Sequence, residues 1–454
     1  MANHIVHGPL PSGVLRFALP MAAAMTLHGA FNLVDAFFVG QLGDPVPLAA
    51  IGNCDPVLMI SIIFGNGVST ASVAMIARAK GALDNAALRS AAGASLTAVA
   101  LLSLLFGILG AIFARDIALA MGARGAVLDL SESYLRLMFA GSFTMMFLLQ
   151  LTAIQRGAGD ARGPTLVLIV ANVLNVVAGP FLIFGLAGLP RMGLMGSAWA
   201  TIGARGVGCM LALWLCLRER SALLPTGRKW IPKRVVLARI VRMALPNTLQ
   251  LLVRVCSLIF LIAIVNRAFT TEADQSATAA FGIGIRIDMC ALFAAMGFGA
   301  AAATYAGQNL GAGNSKRAGK AVWLSAGIAA AVIGLFSTAV YLNPEFCIRL
   351  FCQDGDEVAR IGTEYLQYVS PTYVFASIAV VIALGLNGAG SMIVPAVIDV
   401  LVYGLLIVPV AYVLVFFRDY DRSAVWIAIA CGNIVMAMAY ATWFRLGRWK
   451  NIVI

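Results

Sequence analysis

The sequence predicts an all-α integral membrane protein with about twelve transmembrane helices in two six-helix lobes. Three observations favour this fold class: an apolar composition, twelve long apolar segments and a repeat between the two halves of the chain. The 454 residues are 61% hydrophobic and only 11% charged, with a mean hydropathy of +0.92. Soluble domains carry about 25% charged residues, so the composition excludes an ordinary soluble protein.

Twelve segments are long enough to cross a bilayer, which takes about 20 mainly apolar residues. Because lipid offers no partner to an unpaired backbone group, each segment is expected to be a helix. The predicted spans are 14–39, 47–77, 87–114, 130–154, 163–187, 192–217, 240–268, 276–307, 317–342, 365–387, 392–416 and 423–445.

Basic residues set the predicted orientation, since cytoplasmic loops carry an excess of Lys and Arg. With a cytoplasmic N-terminus, 20 of the 32 Lys and Arg residues lie inside, 8 outside and 4 within the spans. This bias accounts for most of the net charge of +12 without a nucleic-acid partner. We expect a multi-pass protein of the inner (plasma) membrane, surrounded by lipid and monomeric, with both termini cytoplasmic and no cleaved signal peptide.

A basic segment at the midpoint divides the chain into a lobe at 1–217, a cytoplasmic linker at 218–239 and a lobe at 240–454. Four short motifs recur in the same order in both lobes, at a nearly constant offset of about half the chain. Leu19-Pro20 matches Leu245-Pro246, for example, and Gly52 matches Gly282 within its motif. Six spans per half give both halves the same orientation, so we expect a pseudo-two-fold axis along the membrane normal.

Asp35 lies in the first span without a basic neighbour along the chain. A carboxylate there costs at least about 2.5 kcal/mol on insertion scales, and such residues usually bind a proton or a cation. His28, Asn32 and Asp35 fall on one helix face. We interpret Asp35 as a titrating group and Asn32 as an amide that orients it. The alternative is a hydrogen-bonded packing cluster, and for His28 packing is the favoured interpretation.

Two neighbouring spans carry further polar residues on single helix faces. Asn172, Asn175 and Gly179 share a face of span five, and Thr201 shares a face of span six with Arg205. Amide and hydroxyl oxygens suit a hard cation such as Na⁺, although small and polar groups also pack helices together. Both interpretations remain open at this stage.

The second lobe has no counterpart of Asp35. Gln250 and Arg254 lie on one face of span seven, and we expect Asp288 of span eight to pair with Arg254. A structural ion pair is the simpler interpretation of that contact. Met145 is a candidate for an adaptable cavity wall, although packing explains it equally well.

Several activities lack their sequence signatures. The sequence has only three His residues, no H-E-x-x-H motif and no ATP-binding G-x-x-x-x-G-K-[ST] loop, so we expect neither an enzyme nor a cofactor. We find no group of residues typical of a metal centre. Cys347 and Cys352 fall near a loop predicted to lie outside, where either a disulfide or simple burial accounts for them.

Motifs in both halves resemble the multidrug and toxic compound extrusion (MATE) family, and specifically its DNA-damage-inducible branch. The resemblance covers nearly the whole chain. The matching segments are Ala18-Leu19-Pro20, Asn32-Leu33-Val34-Asp35, Arg156-Gly157-Ala158-Gly159-Asp160, Asn175 to Pro180 with Phe181-Leu182-Ile183-Phe184-Gly185, Gly196-Ser197-Ala198-Trp199-Ala200-Thr201 and Ile285-Arg286-Ile287-Asp288.

This resemblance implies two lobes around a central cavity and export of cationic or amphipathic drug-like molecules in exchange for H⁺ or Na⁺. It places Asp35, Asn175 and Thr201 at the family's cation site. The family's second acid in span five is Gly179 here, and the span-seven acid of another branch is Arg254. Losing a carboxylate weakens Na⁺ coordination more than protonation of a single acid, so H⁺ is favoured. A lipid or lipid-linked saccharide flippase is the closest alternative.

Overall fold

The computed structural model describes residues 2–42, 45–218, 223–224, 233–271, 274–352, 355–418 and 420–452, although the side chains of 2, 3, 28, 30–37, 40 and 45 lie outside that description. The described residues form helices and turns, with no β-strand among them. The helices of the first half are α1 (Ala2–His7), α2 (Leu10–Gly40), α3 (Pro45–Gly81), α4 (Asn85–Ile112), α5 (Ala114–Ala120), α6 (Gly125–Ala140), α7 (Ser142–Ala158), α8 (Arg162–Phe184) and α9 (Leu194–Arg218).

The second half repeats most of this order, except that no counterpart of α1 is described and the equivalent of α8 is divided into α16 and α17. Its helices are α10 (Arg234–Phe269), α11 (Ser276–Gly311), α12 (Ser315–Leu342), α13 (Pro344–Arg349), α14 (Asp356–Val369), α15 (Tyr373–Gly388), α16 (Ile393–Asp399), α17 (Val408–Phe417) and α18 (Ser423–Leu446). The short helices α5 and α13 follow spans three and nine and begin at equivalent positions of the two halves, 114 and 344.

Twelve of the described helical segments are long and apolar enough to cross a membrane, which confirms the predicted number. Many large apolar side chains on these segments are exposed, as expected for helices that face lipid rather than water. Leu104 of α4 and Leu335 of α12 are 59% and 76% exposed, for example.

Helix α10 begins inside the segment predicted as a linker. The structure begins it at Arg234, so residues 234–239 belong to a helix of 36 residues. The basic side chains on this first part of α10 hid its helical continuation, because a hydropathy window detects the apolar core of a span and not its polar ends. Of the remaining linker, the structure describes only 218, 223–224 and 233.

Spans four and ten are each broken, where the sequence predicts continuous helices. Span four divides at Gly141 into α6 and α7. A Cβ at Gly141 would lie 2.4 Å from the terminal methyl group of Ile202 on α9, so a larger residue there would require Ile202 to move. Span ten divides at the 3₁₀ turn Ser370–Thr372, where Pro371 supplies no backbone N–H to continue the helix. Positions 141 and 371 are separated by the same interval as the first residues of α5 and α13, so the break belongs to the repeat.

The two halves cross closely where spans two and eight end. A Cβ at Gly81 would lie 1.9 Å from the backbone oxygen of Gln308, and a Cβ at Gly311 would lie 2.1 Å from that of Arg78. Gly81 and Gly311 are separated by the interval of the repeat, and so are Arg78 and Gln308. The crossing is therefore two-fold related, and each half supplies one glycine to it.

Side-chain hydrogen bonds reinforce this end of the molecule. The Arg78 guanidinium donates to the backbone oxygen of Ala389 (3.2 Å), and the Gln308 amide donates to that of Gly157 (3.0 Å). Both acceptors lie where span four or span ten ends, and such carbonyls lack partners within their own helix. Arg317 of α12 also donates to the backbone oxygen of Gly8. The halves are thus joined at the end that carries α1.

Candidate functional site

A buried hydrogen bond joins spans five and six in the first half. Asn175 of α8 donates from Nδ2 to Oγ1 of Thr201 on α9, at 2.9 Å. Their side chains are buried, with relative exposures of 4% and 5%. The structure therefore brings together two of the residues predicted for cation coupling.

A small cavity of about 20 Å³ lies beside this pair. That volume admits a water molecule but not a drug. Its polar lining comes from Asn172, Asn175 and Arg205, and Met145 supplies part of the apolar wall. Arg205 thus lines the same cavity as the two amide residues. The sequence placed it on the Thr201 face of span six.

The position of Gly179 is partly open. A Cβ there would lie 4.0 Å from both the Asn175 Oδ1 atom and the ring of Phe38, which is ordinary van der Waals contact. Span one therefore approaches span five at the level of Phe38. Residue 35 belongs to the same helix, α2, three residues before Phe38, which corresponds to about 4.5 Å along the helix axis. The side chains of His28, Asn32 and Asp35 lie outside the described residues.

In the second half, Arg254 of α10 pairs with Asp399 at the end of α16. The Arg254 Nε atom lies 2.5 Å from Oδ2 of Asp399, whose side chain is fully buried. The predicted pairing of Arg254 with Asp288 is therefore wrong. A fully buried carboxylate needs a charged partner, whereas Asp288 is only partly buried and has two other donors.

A chain of polar side chains extends from this ion pair. The Tyr440 hydroxyl donates to Oδ1 of Asp399 at 2.6 Å, and the Gln250 amide donates to the Tyr440 oxygen at 3.3 Å. Asn247 and Asn387 each donate to Oε1 of Gln250. The two donors Arg254 and Tyr440 explain how the Asp399 carboxylate is tolerated inside the second lobe, because each of its oxygens accepts a hydrogen bond.

Asp399 is the last residue of α16, and the next eight residues, Val400–Ile407, form a π-helix. Insertions of this kind occur often at functional sites. In this segment the Tyr403 ring lies 5.8 Å from the Arg254 guanidinium. In the sequence, Asp399 is conspicuous as an acid within an apolar segment. The sequence does not indicate which neighbouring span its side chain faces.

Asp288 lies in α11 and is held by two tyrosines of span ten. Tyr365 donates its hydroxyl to Oδ2, and Tyr373 donates to Oδ1 at 2.5 Å. Sequence reasoning did not find these tyrosines, since a phenol in an apolar segment gives no signal beyond its amphipathic character. Asp288 and Arg254 both belong to the second lobe but have separate partners.

Cys347 and Cys352 are free thiols in this structure. Within the described ranges, no three His, Cys, Asp or Glu side chains are grouped so as to hold a metal ion.

Comparison with known proteins gives matches along nearly the whole chain. The probable multidrug resistance protein YoeA of Bacillus subtilis (strain 168) is 27% identical over 439 residues, which cover 96% of this chain and 93% of the relative. A protein of Shewanella oneidensis named FAD transporter is 28% identical over 416 residues, covering 90% and 88% of the two chains.

Solved structures show the same architecture. One is described as the outward-facing conformation of a multidrug resistance MATE family transporter of the MOP superfamily. It is 25% identical, covers 98% of this chain and 97% of its own, and superposes with a TM-score of 0.91. This likeness confirms the predicted two-lobed fold of twelve transmembrane helices.

The MatE family model matches residues 20–181 and 251–413, one segment in each half and together well over half of the chain. The protein therefore belongs to the MatE family, whose members are membrane transporters and not enzymes.

Proposed function

We propose that this protein is a secondary active exporter that exchanges H⁺ for cationic or amphipathic small molecules. The observation that carries the proposal is the buried Asn175–Thr201 pair beside a water-sized cavity, close to the place where span one meets span five. Polar groups on three spans are expensive in lipid unless they serve a ligand or one another. Asp35 is the proposed proton carrier of this group, and Asn32 its orienting amide.

One feature favours H⁺ over Na⁺. At Gly179 the chain lacks a second carboxylate, so fewer hard anionic ligands are available to a metal cation. A single carboxylate, the proposed Asp35, is still able to bind a proton.

Alternating access is the proposed mechanism, with the halves rocking about the crossing of spans two and eight. The bias of Lys and Arg supports a cytoplasmic N-terminus in the inner membrane. Under this orientation the crossing of spans two and eight lies at the cytoplasmic end, and the state in which it is closed is the proposed outward-facing state. In this state protons from outside reach Asp35. Its protonation removes a negative charge that holds a cationic substrate, and the substrate leaves.

Gln250, Arg254 and Asp288 are proposed to border the substrate cavity on the side of the second lobe, with His28, Asn172, Gly179 and Met145 on the other. We place the protein in the DNA-damage-inducible branch, as a monomer surrounded by lipid. A flippase for anionic lipids would use exposed cationic side chains in the cavity. Because Asp399 neutralises Arg254, the exporter remains the favoured proposal.

The test is accumulation of ethidium or norfloxacin in cells that lack their own pumps, with separate H⁺ and Na⁺ gradients. Wild-type protein is expected to lower accumulation under the H⁺ gradient only, and Asp35→Asn to abolish the effect. FAD belongs among the test compounds, because a relative is named an FAD transporter. Normal expression without export of any of these compounds would contradict the proposal.

A further inference from the structure

The Asp288 carboxylate connects the two pieces of span ten. Tyr365, which donates to Oδ2, belongs to α14, whereas Tyr373, which donates to Oδ1, is the first residue of α15. The 3₁₀ turn Ser370–Thr372 lies between them. One carboxylate on α11 therefore holds both sides of the break in span ten.

This carboxylate has no basic partner. Among the described residues, no Lys, Arg or His nitrogen lies within 4.0 Å of it, whereas Asp399 in the same lobe is paired with Arg254. Other groups are in electrostatic range: Cys290 on its own helix and Tyr403 from the π-helical segment. Arg286, two residues earlier, is exposed. An acid without a cation inside a membrane is a candidate for proton binding.

The two tyrosines accommodate either protonation state, but not with the same hydrogen bonds. An ionised carboxylate only accepts, so both hydroxyls donate to it. A protonated carboxyl has an O–H that must donate, so one tyrosine hydroxyl must turn round to accept or lose its bond. Hydrogen bonds to a charged group are also about twice as strong as neutral ones. Uptake of one proton therefore weakens the link between α14 and α15.

We propose that Asp288 is a proton-binding site of the second lobe that controls the bend in span ten. In the ionised state it holds α14 and α15 together through Tyr365 and Tyr373, and in the protonated state it releases one of them. A role of Asp288 in transport rests on the proposed H⁺-driven export. Proton binding by Asp288 does not depend on that proposal.

Movement of α14 is visible through Trp426 of α18. Its ring is fully buried and lies 4.9 Å from the ring of Tyr365 and 5.2 Å from that of Phe281. Trp426 fluorescence, obtained as the difference between wild type and Trp426→Phe, therefore reports on the position of Tyr365.

The first experiment is a fluorescence titration of purified protein without substrate, from about pH 4 to pH 9. Wild type is expected to give one proton-dependent transition, which Asp288→Asn removes. Tyr373→Phe should move the midpoint to higher pH, because the ionised carboxylate loses a donor. Tyr341→Phe, whose side chain is 49% exposed on α12, should leave the midpoint unchanged. A transition that persists in Asp288→Asn would overturn the proposal.

The second experiment measures the pH profile of drug export. The proposal expects Asp288→Asn to flatten the profile while Asp35→Asn abolishes export. If Asp288→Asn keeps the wild-type profile, the second proton site is refuted while H⁺-driven export stands. If wild type exports nothing, the proposed function fails, and the fluorescence titration still decides whether Asp288 binds a proton.

Discussion

Adding one methyl group at the crossing of spans two and eight should open the molecule at that end. In Gly81→Ala the new Cβ would lie 1.9 Å from the backbone oxygen of Gln308, where ordinary contact begins at 3.4 Å. The spans must therefore separate by the difference between these two distances. Gly311→Ala should act in the same way, because its Cβ would meet the backbone oxygen of Arg78 at 2.1 Å.

The expected magnitude follows from the cost of overpacking. Forcing an extra methyl group into a close-packed contact costs about 1 to 3 kcal/mol. The clash exists only where the halves touch, so this energy destabilises one conformation relative to the other. A difference of that size shifts the equilibrium by about 5- to 150-fold. Both variants should therefore populate the state open at the α1 end and export drugs more slowly.

A single cysteine at position 73 measures this opening. Val73 is 7% exposed and packs with Ala153 of its own half and Ala303 of the other. In a background without the eight native cysteines, Val73→Cys introduces a smaller side chain and does not overpack the contact. Maleimide labelling of the purified protein should be at least about fivefold faster with Gly81→Ala or Gly311→Ala.

The chain offers a matched control for each glycine. Gly52 and Gly282 lie in the same two helices, and a Cβ at either would meet nothing within 4 Å. All four substitutions replace glycine by alanine in a helix, and Gly81 and Gly311 differ from their controls by the steric clash with backbone atoms. Equal labelling rates in the four variants would refute the close crossing as a determinant of conformation.

Two further predictions concern stability and are measured by thermal unfolding in detergent. Asp399→Ala should destabilise the protein by about 3 to 5 kcal/mol, because it leaves the Arg254 charge buried without its partner. A double variant that also carries Arg254→Met should recover much of this stability. If the double variant is no more stable than Asp399→Ala, the pairing is contradicted. Leu83→Gly should stabilise the protein by about 1 kcal/mol, since Leu83 has a φ of 59° that favours glycine. The reverse change at the equivalent turn residue, Gly313→Leu (φ 78°), should destabilise the protein. Destabilisation by Leu83→Gly, or stabilisation by Gly313→Leu, would contradict the strain argument.

The number of spans and the repeat were predictable because both depend on local properties of the sequence. A span must be long and apolar, and a duplicated half keeps its glycines and prolines at a constant offset. Asn175 and Thr201, which form a hydrogen bond in the structure, were selected from the sequence for a similar reason. Polar residues in an apolar span are conspicuous, and their spacing shows which helix face they share.

The partner of Arg254 and the breaks in spans four and ten were not predictable in this way. Sequence position gives the depth of a residue in the membrane but not the rotation of its helix, because lipid-facing and packed faces are both apolar. The sequence therefore predicted Asp288 as the partner and did not indicate Asp399. The breaks arise at Gly141 and Pro371, and a hydropathy window averages over single residues.

The most direct test of the account is transport by purified protein in proteoliposomes with either an H⁺ or a Na⁺ gradient. The account predicts that an H⁺ gradient alone drives ethidium transport, that Asp35→Asn stops it, and that Asp116→Asn, at an exposed residue of α5, leaves it unchanged. Transport driven only by Na⁺, or full H⁺-driven transport by Asp35→Asn, would contradict it.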